Sequence, residues 1–202
     1  MNWKHGIATN LKPCLLVLLT VGCRQDAPRE VAASPASTPA ATPPRPADRI
    51  TIAMSAAPAS IAAGAAIMDF DASGKLVELR PGTNGWLCLA DDGPTAPGDS
   101  PDCLDERWQS WFTAFEQRKV PQITGIGLAY MLQGSLSPSN SDPFAETPPS
   151  GSDWMKDGPH VMVIVPDPTT LNAFPGEHSA SHPYVMYKGT PYAHLMVPVS
   201  VK

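Results

Sequence analysis

From residue 50 onward the apolar positions form short runs separated by turn residues, a pattern typical of β-strands. Glycine-containing turns are predicted at 71–74 and 81–85. The runs predict strands over residues 50–54, 65–70, 75–79, 86–89, 123–132, 160–165, 184–188 and 193–199.

One segment, residues 103–119, has helical periodicity instead, with acidic residues at its start and basic residues at its end. Its apolar positions are Leu104, Trp108, Trp111, Phe112 and Phe115. Strands outnumber helices and do not alternate strictly with them. The sequence therefore predicts an α+β domain with one mainly antiparallel sheet, this amphipathic helix and long Pro/Gly-rich loops.

The N-terminus has the layout of an export signal. A weakly basic start is followed by an apolar run over residues 14–21, which is far too short to span a bilayer. The run leads into Gly22 and Cys23, an ending that resembles the lipobox of bacterial lipoproteins, although Thr20 stands where that motif prefers leucine. The resemblance implies cleavage before Cys23 and lipidation of that residue. An ordinary cleaved signal peptide is the alternative.

The same resemblance implies a location for the protein. Several acyl chains on one residue are enough for stable anchoring, so the expected partner is a membrane, reached through the N-terminal lipid. Arg24 follows the cysteine where an aspartate would favour the inner membrane of enteric bacteria. We therefore expect an exported, lipid-anchored protein on the periplasmic side, at the outer membrane.

Residues 24–47 are rich in Ala, Pro, Ser and Thr and contain no aromatic residue. Such a segment cannot repay the entropy of ordering, so we expect a spacer that reaches roughly 75 Å at about 3.1 Å per residue. The predicted organisation is a signal peptide over 1–22, a lipidated disordered tether over 23–48 and a single globular domain over 49–202.

Charge narrows the range of partners. The net charge is −5, and it becomes −7 once Lys4 and Lys12 leave with the signal peptide. The sequence contains no run of basic residues, which argues against a nucleic-acid partner and against electrostatic docking on anionic lipid. The identity of any cofactor, small-molecule ligand or protein partner stays open at this point.

Cysteine usage agrees with export. After Cys14 leaves and Cys23 takes lipid, the mature domain retains Cys88 and Cys103. Two cysteines in an oxidising compartment predict a disulfide, which would stabilise the domain by about 3 kcal/mol for a loop of about 15 residues. A metal or redox pair is the alternative, but the spacing is too long for a Cys-x-x-Cys unit.

Familiar catalytic and cofactor motifs do not occur in this sequence. Asp69, Asp71 and Ser73 begin like a calcium loop, but Arg80 occupies the twelfth position, where that loop needs a glutamate. The sequence also lacks phosphate-loop, Gly-x-Ser-x-Gly and His-Glu-x-x-His motifs. An enzyme remains possible, because catalytic triads assemble from residues far apart in sequence.

One pattern, His-x-Met-Val-x-Val, occurs twice, beginning at His160 and at His194. Strand residues two apart share a face, so His160 is expected beside Met162, and His194 beside Met196. If the two strands pair in parallel, both imidazoles reach one ligand, and two thioethers with two imidazoles suit monovalent copper better than zinc. Methionine that alternates with valine is also ordinary core filler.

A second candidate surface is the polar loop 133–159, which supplies Asp142 and Asp157 as hydrogen-bonding or acid–base groups. A solvated connection is the alternative. His178 and His182 are four residues apart, a spacing that suits metal binding on a helix, but the prolines on either side favour a loop.

The region 68–199, with its "GPH", "YMLQG" and "GTPYAH" segments, resembles exported bacterial proteins of unknown activity. That resemblance implies a family-specific domain and transfers no activity. Two hypotheses follow. The first is a binding or structural module of the cell envelope with a ligand cleft near His160 and His194. The second is a hydrolase-like periplasmic enzyme in which one of these histidines is the general base and Asp142 or Asp157 orients it. The lack of a nucleophile motif favours the module.

Overall fold

The computed structural model describes residues 46–91, 93 and 97–200. The predicted signal peptide, Cys23 and nearly all of the predicted tether lie outside the described residues. No helix in the described part of the chain has both the length and the apolar character needed to cross a membrane.

The described residues form an α+β fold, as the sequence predicts. The helices are α1 (Pro46–Met54), α2 (Ala59–Ala62) and α3 (Glu106–Glu116), with a 3₁₀ helix at Pro168–Ala173. The strands are β1 (Ala66–Phe70), β2 (Leu76–Arg80), β3 (Leu87–Leu89), β4 (Asp102–Leu104), β5 (Gly127–Met131), β6 (Ser135–Ser137), β7 (Met155–Asp157), β8 (His160–Ile164), β9 (Tyr184–Met186) and β10 (His194–Pro198).

Eight strands form one sheet in the order β2-β1-β3-β4-β5-β8-β10-β9, and β6 pairs with β7 in a separate hairpin sheet. All neighbours in the large sheet are antiparallel except β1 and β3, which are parallel. The predicted mainly antiparallel sheet is therefore confirmed.

The prediction of a strand over residues 50–54 is wrong, because these residues belong to α1. Ile50, Ala53 and Met54 occupy the i, i+3 and i+4 positions of a helix and pack into one cluster against the sheet. The Arg49 guanidinium attaches α1 to β1 by donating two hydrogen bonds to the Asp69 carboxylate, at 2.6 and 2.8 Å.

Helix α3 begins at Glu106 rather than at the predicted residue 103. Asp105 determines this boundary, because its Oδ1 accepts hydrogen bonds from the backbone N–H groups of Arg107 and Trp108, both at 2.9 Å. Its Oδ2 accepts the Leu128 N–H at 2.7 Å. One carboxylate thus caps α3 and places the helix across β5.

The predicted disulfide between Cys88 and Cys103 is present. The two residues lie directly opposite each other on β3 and β4, and both are completely buried. The disulfide therefore joins two neighbouring strands, and not a strand to the start of the helix as the sequence suggests.

The two faces of the sheet carry different cores. Beneath α1 the core consists mainly of alanine side chains around the disulfide. Beneath α3 the core is built from large side chains, with Trp108 and Trp111 packed on the central strands. This second face carries both predicted histidines.

Candidate functional site

Six side chains on four adjacent strands form three directly opposed pairs on the sheet face beneath α3. The pairs are Met131 with His160, Met162 with Met196, and Met186 with His194. Opposed residues share a face, and so do residues two apart on one strand, so all six side chains project to the same side. Directly opposed Cβ atoms lie about 5 Å apart, which brings each histidine within reach of a thioether.

The repeated His-x-Met motif explains this arrangement. Strands β8 and β10 are antiparallel, and their two motifs are related by an approximate two-fold axis through the Met162–Met196 pair. The axis exchanges His160 with His194. It also exchanges the methionines opposite them, so two sequence repeats produce a symmetric array of sulfur and nitrogen donors.

Strands β8 and β10 are neighbours, but they pair antiparallel. The hypothesis that both imidazoles reach one ligand required parallel pairing, and it is therefore wrong. His160 lies opposite Pro198, at the other end of β10 from His194. Four residues at about 3.4 Å each separate the histidines by roughly 14 Å along the strands. The Met162–Met196 pair lies between them.

Both imidazoles are held in the same tautomer by the same local contact. Nδ1 of His160 lies 2.7 Å from the Gly158 carbonyl oxygen, and Nδ1 of His194 lies 3.0 Å from that of Tyr192. A carbonyl oxygen only accepts hydrogen bonds, so each Nδ1 carries the proton and donates. Each Nε2 therefore bears a lone pair that is available as an acceptor or a metal ligand.

Aromatic rings surround His194. Its ring meets those of Trp108, Trp111 and Tyr187 edge to face, with centroids 5.2, 5.5 and 5.5 Å away. Burial in this apolar environment disfavours the charged form and lowers the pKa of His194 to about 4, and His160 adds a smaller effect in the same direction. His194 is therefore neutral at physiological pH.

His160 is only 1% exposed, and its Nε2 is buried without a hydrogen-bond partner among the described residues. Burial lowers the pKa of this imidazole, against smaller opposing effects of the Gly158 carbonyl and Asp157. A buried acceptor without a partner costs about 1–3 kcal/mol. Such a group in a folded protein usually meets a water, an ion or a ligand.

A cavity of about 100 Å³ connects these groups. Helix α3 covers it with Trp108, Trp111, Phe112 and Phe115, and Ser135 and Ser137 of β6 form one side. All six side chains of the three opposed pairs line it. The indole N–H groups of Trp108 and Trp111 are also buried without a hydrogen-bond partner in the described part of the chain.

The predicted carboxylates do not orient these histidines. Asp142 is exposed and accepts a hydrogen bond from the Phe144 N–H within its own turn. Asp157 is buried, and its Oδ1 accepts hydrogen bonds from the Tyr184 hydroxyl at 2.9 Å and from His178 Nε2 at 3.1 Å. Backbone carbonyls, and not carboxylates, accept the Nδ1–H of His160 and His194. The prediction that Asp142 or Asp157 orients one of these histidines is therefore wrong.

His178 and His182, the other histidines considered as metal ligands, do not form a metal site. His178 faces Asp157, whereas His182 is exposed and bonds to Ser181, so the two are not a ligand pair. Among the described residues, no group of three or more His, Cys, Asp or Glu side chains is arranged to hold a metal ion.

Sequence reasoning missed Met131 and Met186, which complete the outer pairs. Both lie within predicted strands, but nothing in their local sequence shows which strands are neighbours. Trp108 and Trp111 were expected on the apolar face of the helix. Their position over His194 depends on the path of the chain after β4.

No protein-family model, no curated protein and no solved structure matches this chain. The donors and the cavity therefore have to be interpreted from their own chemistry.

Proposed function

We propose that this protein is a membrane-tethered ligand-binding module of the bacterial cell envelope. Its folded domain takes a small ligand into the cavity between α3 and the sheet, and lipid on Cys23 holds it at the periplasmic side of the outer membrane. The segment from residue 24 to the start of α1 is the spacer between the two.

The observation that supports ligand binding best is the pair of imidazoles that line one cavity, each fixed by a carbonyl and each with a free Nε2 lone pair. The Nε2 of His160 is buried without a partner among the described residues, which is costly for stability because a packed core avoids unsatisfied polar atoms. A bound ligand offsets that cost. The small volume limits the ligand to an ion or to a molecule of a few non-hydrogen atoms.

Native mass spectrometry of the protein, purified in mild detergent from a host that lipidates it, tests this proposal. The wild type should show a defined additional mass that is lost under denaturing conditions. His160→Asn should lose most of it, since asparagine keeps an N–H donor for the Gly158 carbonyl but removes Nε2.

His182→Asn is the matched control, because His182 is exposed and lies outside the cavity. It should carry the same additional mass as the wild type. A wild type without any additional mass, or a mass that His160→Asn fully retains, would overturn the proposed binding site.

A further inference from the structure

The donor atoms around the cavity are mostly soft. Four thioethers and two imidazole nitrogens belong to the three opposed pairs. Thioether sulfur prefers Cu(I) among biological metal ions, and imidazole accepts it as well. Ca²⁺ and Mg²⁺ require oxygen ligands, which this lining does not supply in sufficient number.

The charge of the lining also favours a monovalent ion. Thioethers are uncharged, and an imidazole must be neutral to bind a metal through Nε2. Asp102 is the only carboxylate among the residues that line the cavity, so the lining offers at most one negative charge. A buried ion needs compensation for its lost hydration, and a divalent ion would be left with an uncompensated charge.

The imidazole geometry matches that of metal ligands in general. A histidine that binds a metal through one ring nitrogen almost always donates the other ring N–H to a carbonyl, a carboxylate or a water, which fixes the tautomer and the ring orientation. His160 already has this arrangement, and its second nitrogen lies on the cavity without a partner in the described structure.

Methionine as simple core filler does not account for this distribution. The described residues contain seven methionines, and four of them lie on one cavity together with two of the five histidines of the chain. Methionines that only fill space would occur wherever the packing of the core leaves a gap. Here the two-fold relation of β8 and β10 places them opposite histidines or opposite each other.

From these observations we infer that the ligand of the cavity is Cu(I), one ion per chain, bound by the thioethers of Met162 and Met196 and by Nε2 of His160. This inference rests on the proposed function and names the ligand class. The directly opposed methionines supply two sulfurs, and His160 is two residues from Met162 on the same face.

Competition for Cu(I) with the chromophoric chelator bicinchoninate tests the inference. The purified lipidated protein is treated with N-ethylmaleimide to block any free thiol and is then titrated with Cu(I) without oxygen, in the presence of ascorbate. Intact mass confirms that the Cys88–Cys103 disulfide survives. The wild type should take one Cu(I) from the chelator, and tryptophan fluorescence should change with the same stoichiometry because Trp108 and Trp111 line the cavity.

Two variants remove ligands while keeping the core filled. Met162→Leu combined with Met196→Leu conserves side-chain volume, and His160→Asn removes Nε2. Each should weaken Cu(I) binding by roughly tenfold or more, as loss of metal-site partners generally does. Met68→Leu is the control, because Met68 packs against the same core but does not line the cavity, and it should bind like the wild type.

The outcomes separate this inference from the proposed function. If the wild type fails to take Cu(I), or if the double leucine variant binds as tightly as Met68→Leu, the copper assignment is wrong. A His160-dependent organic mass in native spectra would then leave the ligand-binding module standing. If neither Cu(I) nor any other species depends on His160, both ideas fail. Thermal unfolding of each variant shows that a lost affinity does not reflect a lost fold.

Discussion

Acidification should destabilise the domain through His194, whose imidazole is only 3% exposed between α3 and the sheet. Its pKa in the folded protein is lowered to about 4, whereas an unfolded chain has a histidine pKa of about 6.5. Above pH 6.5 both states are neutral and His194 contributes nothing to the pH dependence. As the pH falls below that value, the unfolded state binds a proton that the folded state excludes, so the free energy of unfolding decreases.

The size of this effect follows from the two pKa values. By linkage, about 2 kcal/mol is lost at pH 5 and about 3 kcal/mol at pH 4. Small domains have a total stability of about 5–15 kcal/mol, so the loss is a substantial part of it. The pKa of His160 is lowered as well, which adds to the loss in the same direction.

The variant His194→Asn isolates the contribution of this imidazole to the pH dependence of stability. Asparagine retains an N–H donor for the Tyr192 carbonyl but does not titrate. Urea unfolding followed by tryptophan fluorescence at about pH 7 and about pH 5 should show a loss of about 2 kcal/mol or more in the wild type. The variant is less stable than the wild type at about pH 7, because it loses the ring contacts of His194. Between the two pH values, however, its free energy of unfolding should fall by about 2 kcal/mol less than that of the wild type.

His182→Asn, at an exposed histidine, is the control and should keep the wild-type pH profile. If His194→Asn lost as much stability as the wild type between the two pH values, the imidazole would not be the source. The argument from its burial would then be wrong.

Three further predictions concern the disulfide, the helix cap and the anchor. Replacing Cys88 and Cys103 by alanine should lower the free energy of unfolding by about 3 kcal/mol in urea, and an unchanged midpoint would contradict the role of the disulfide. Asp105→Ala should cost about 1–2 kcal/mol because it removes the cap of α3, while Ser110→Ala on the exposed side of the same helix should cost much less. Wild-type protein should incorporate radiolabelled fatty acid in a lipoprotein-competent host and Cys23→Ser should not, and a wild type without label would refute the anchor.

The sequence by itself determined the elements whose signals are local. Alternation of apolar residues predicted most strands of the sheet. It also predicted that each histidine shares a face with the methionine two residues on, because side-chain direction in a strand depends only on the backbone. The α+β class followed from the order of strands and helix. Two cysteines remaining in a domain that we expect to be exported were enough to predict their disulfide, which the structure contains.

Residues 50–54 show where local signals are ambiguous. The β-branched residues of this segment favour a strand, but burial of Ile50 and Ala53 against the sheet makes it a helix. Likewise, Cys103 looked like the first residue of a helix until its pairing with Cys88 placed it in β4. Propensity is a weak preference, and tertiary packing overrides it.

Only the tertiary structure decided how the donors of the candidate site meet. The connection between β8 and β10 is long enough for either strand direction, so the repeated motif alone was compatible with parallel and antiparallel pairing. The antiparallel pairing moved the two histidines apart and set Met162 opposite Met196. The pairing of β5 with β8 set Met131 opposite His160, and the pairing of β9 with β10 set Met186 opposite His194. Strand neighbours and direction depend on hydrogen bonds between residues far apart in the chain, and no local pattern encodes those contacts.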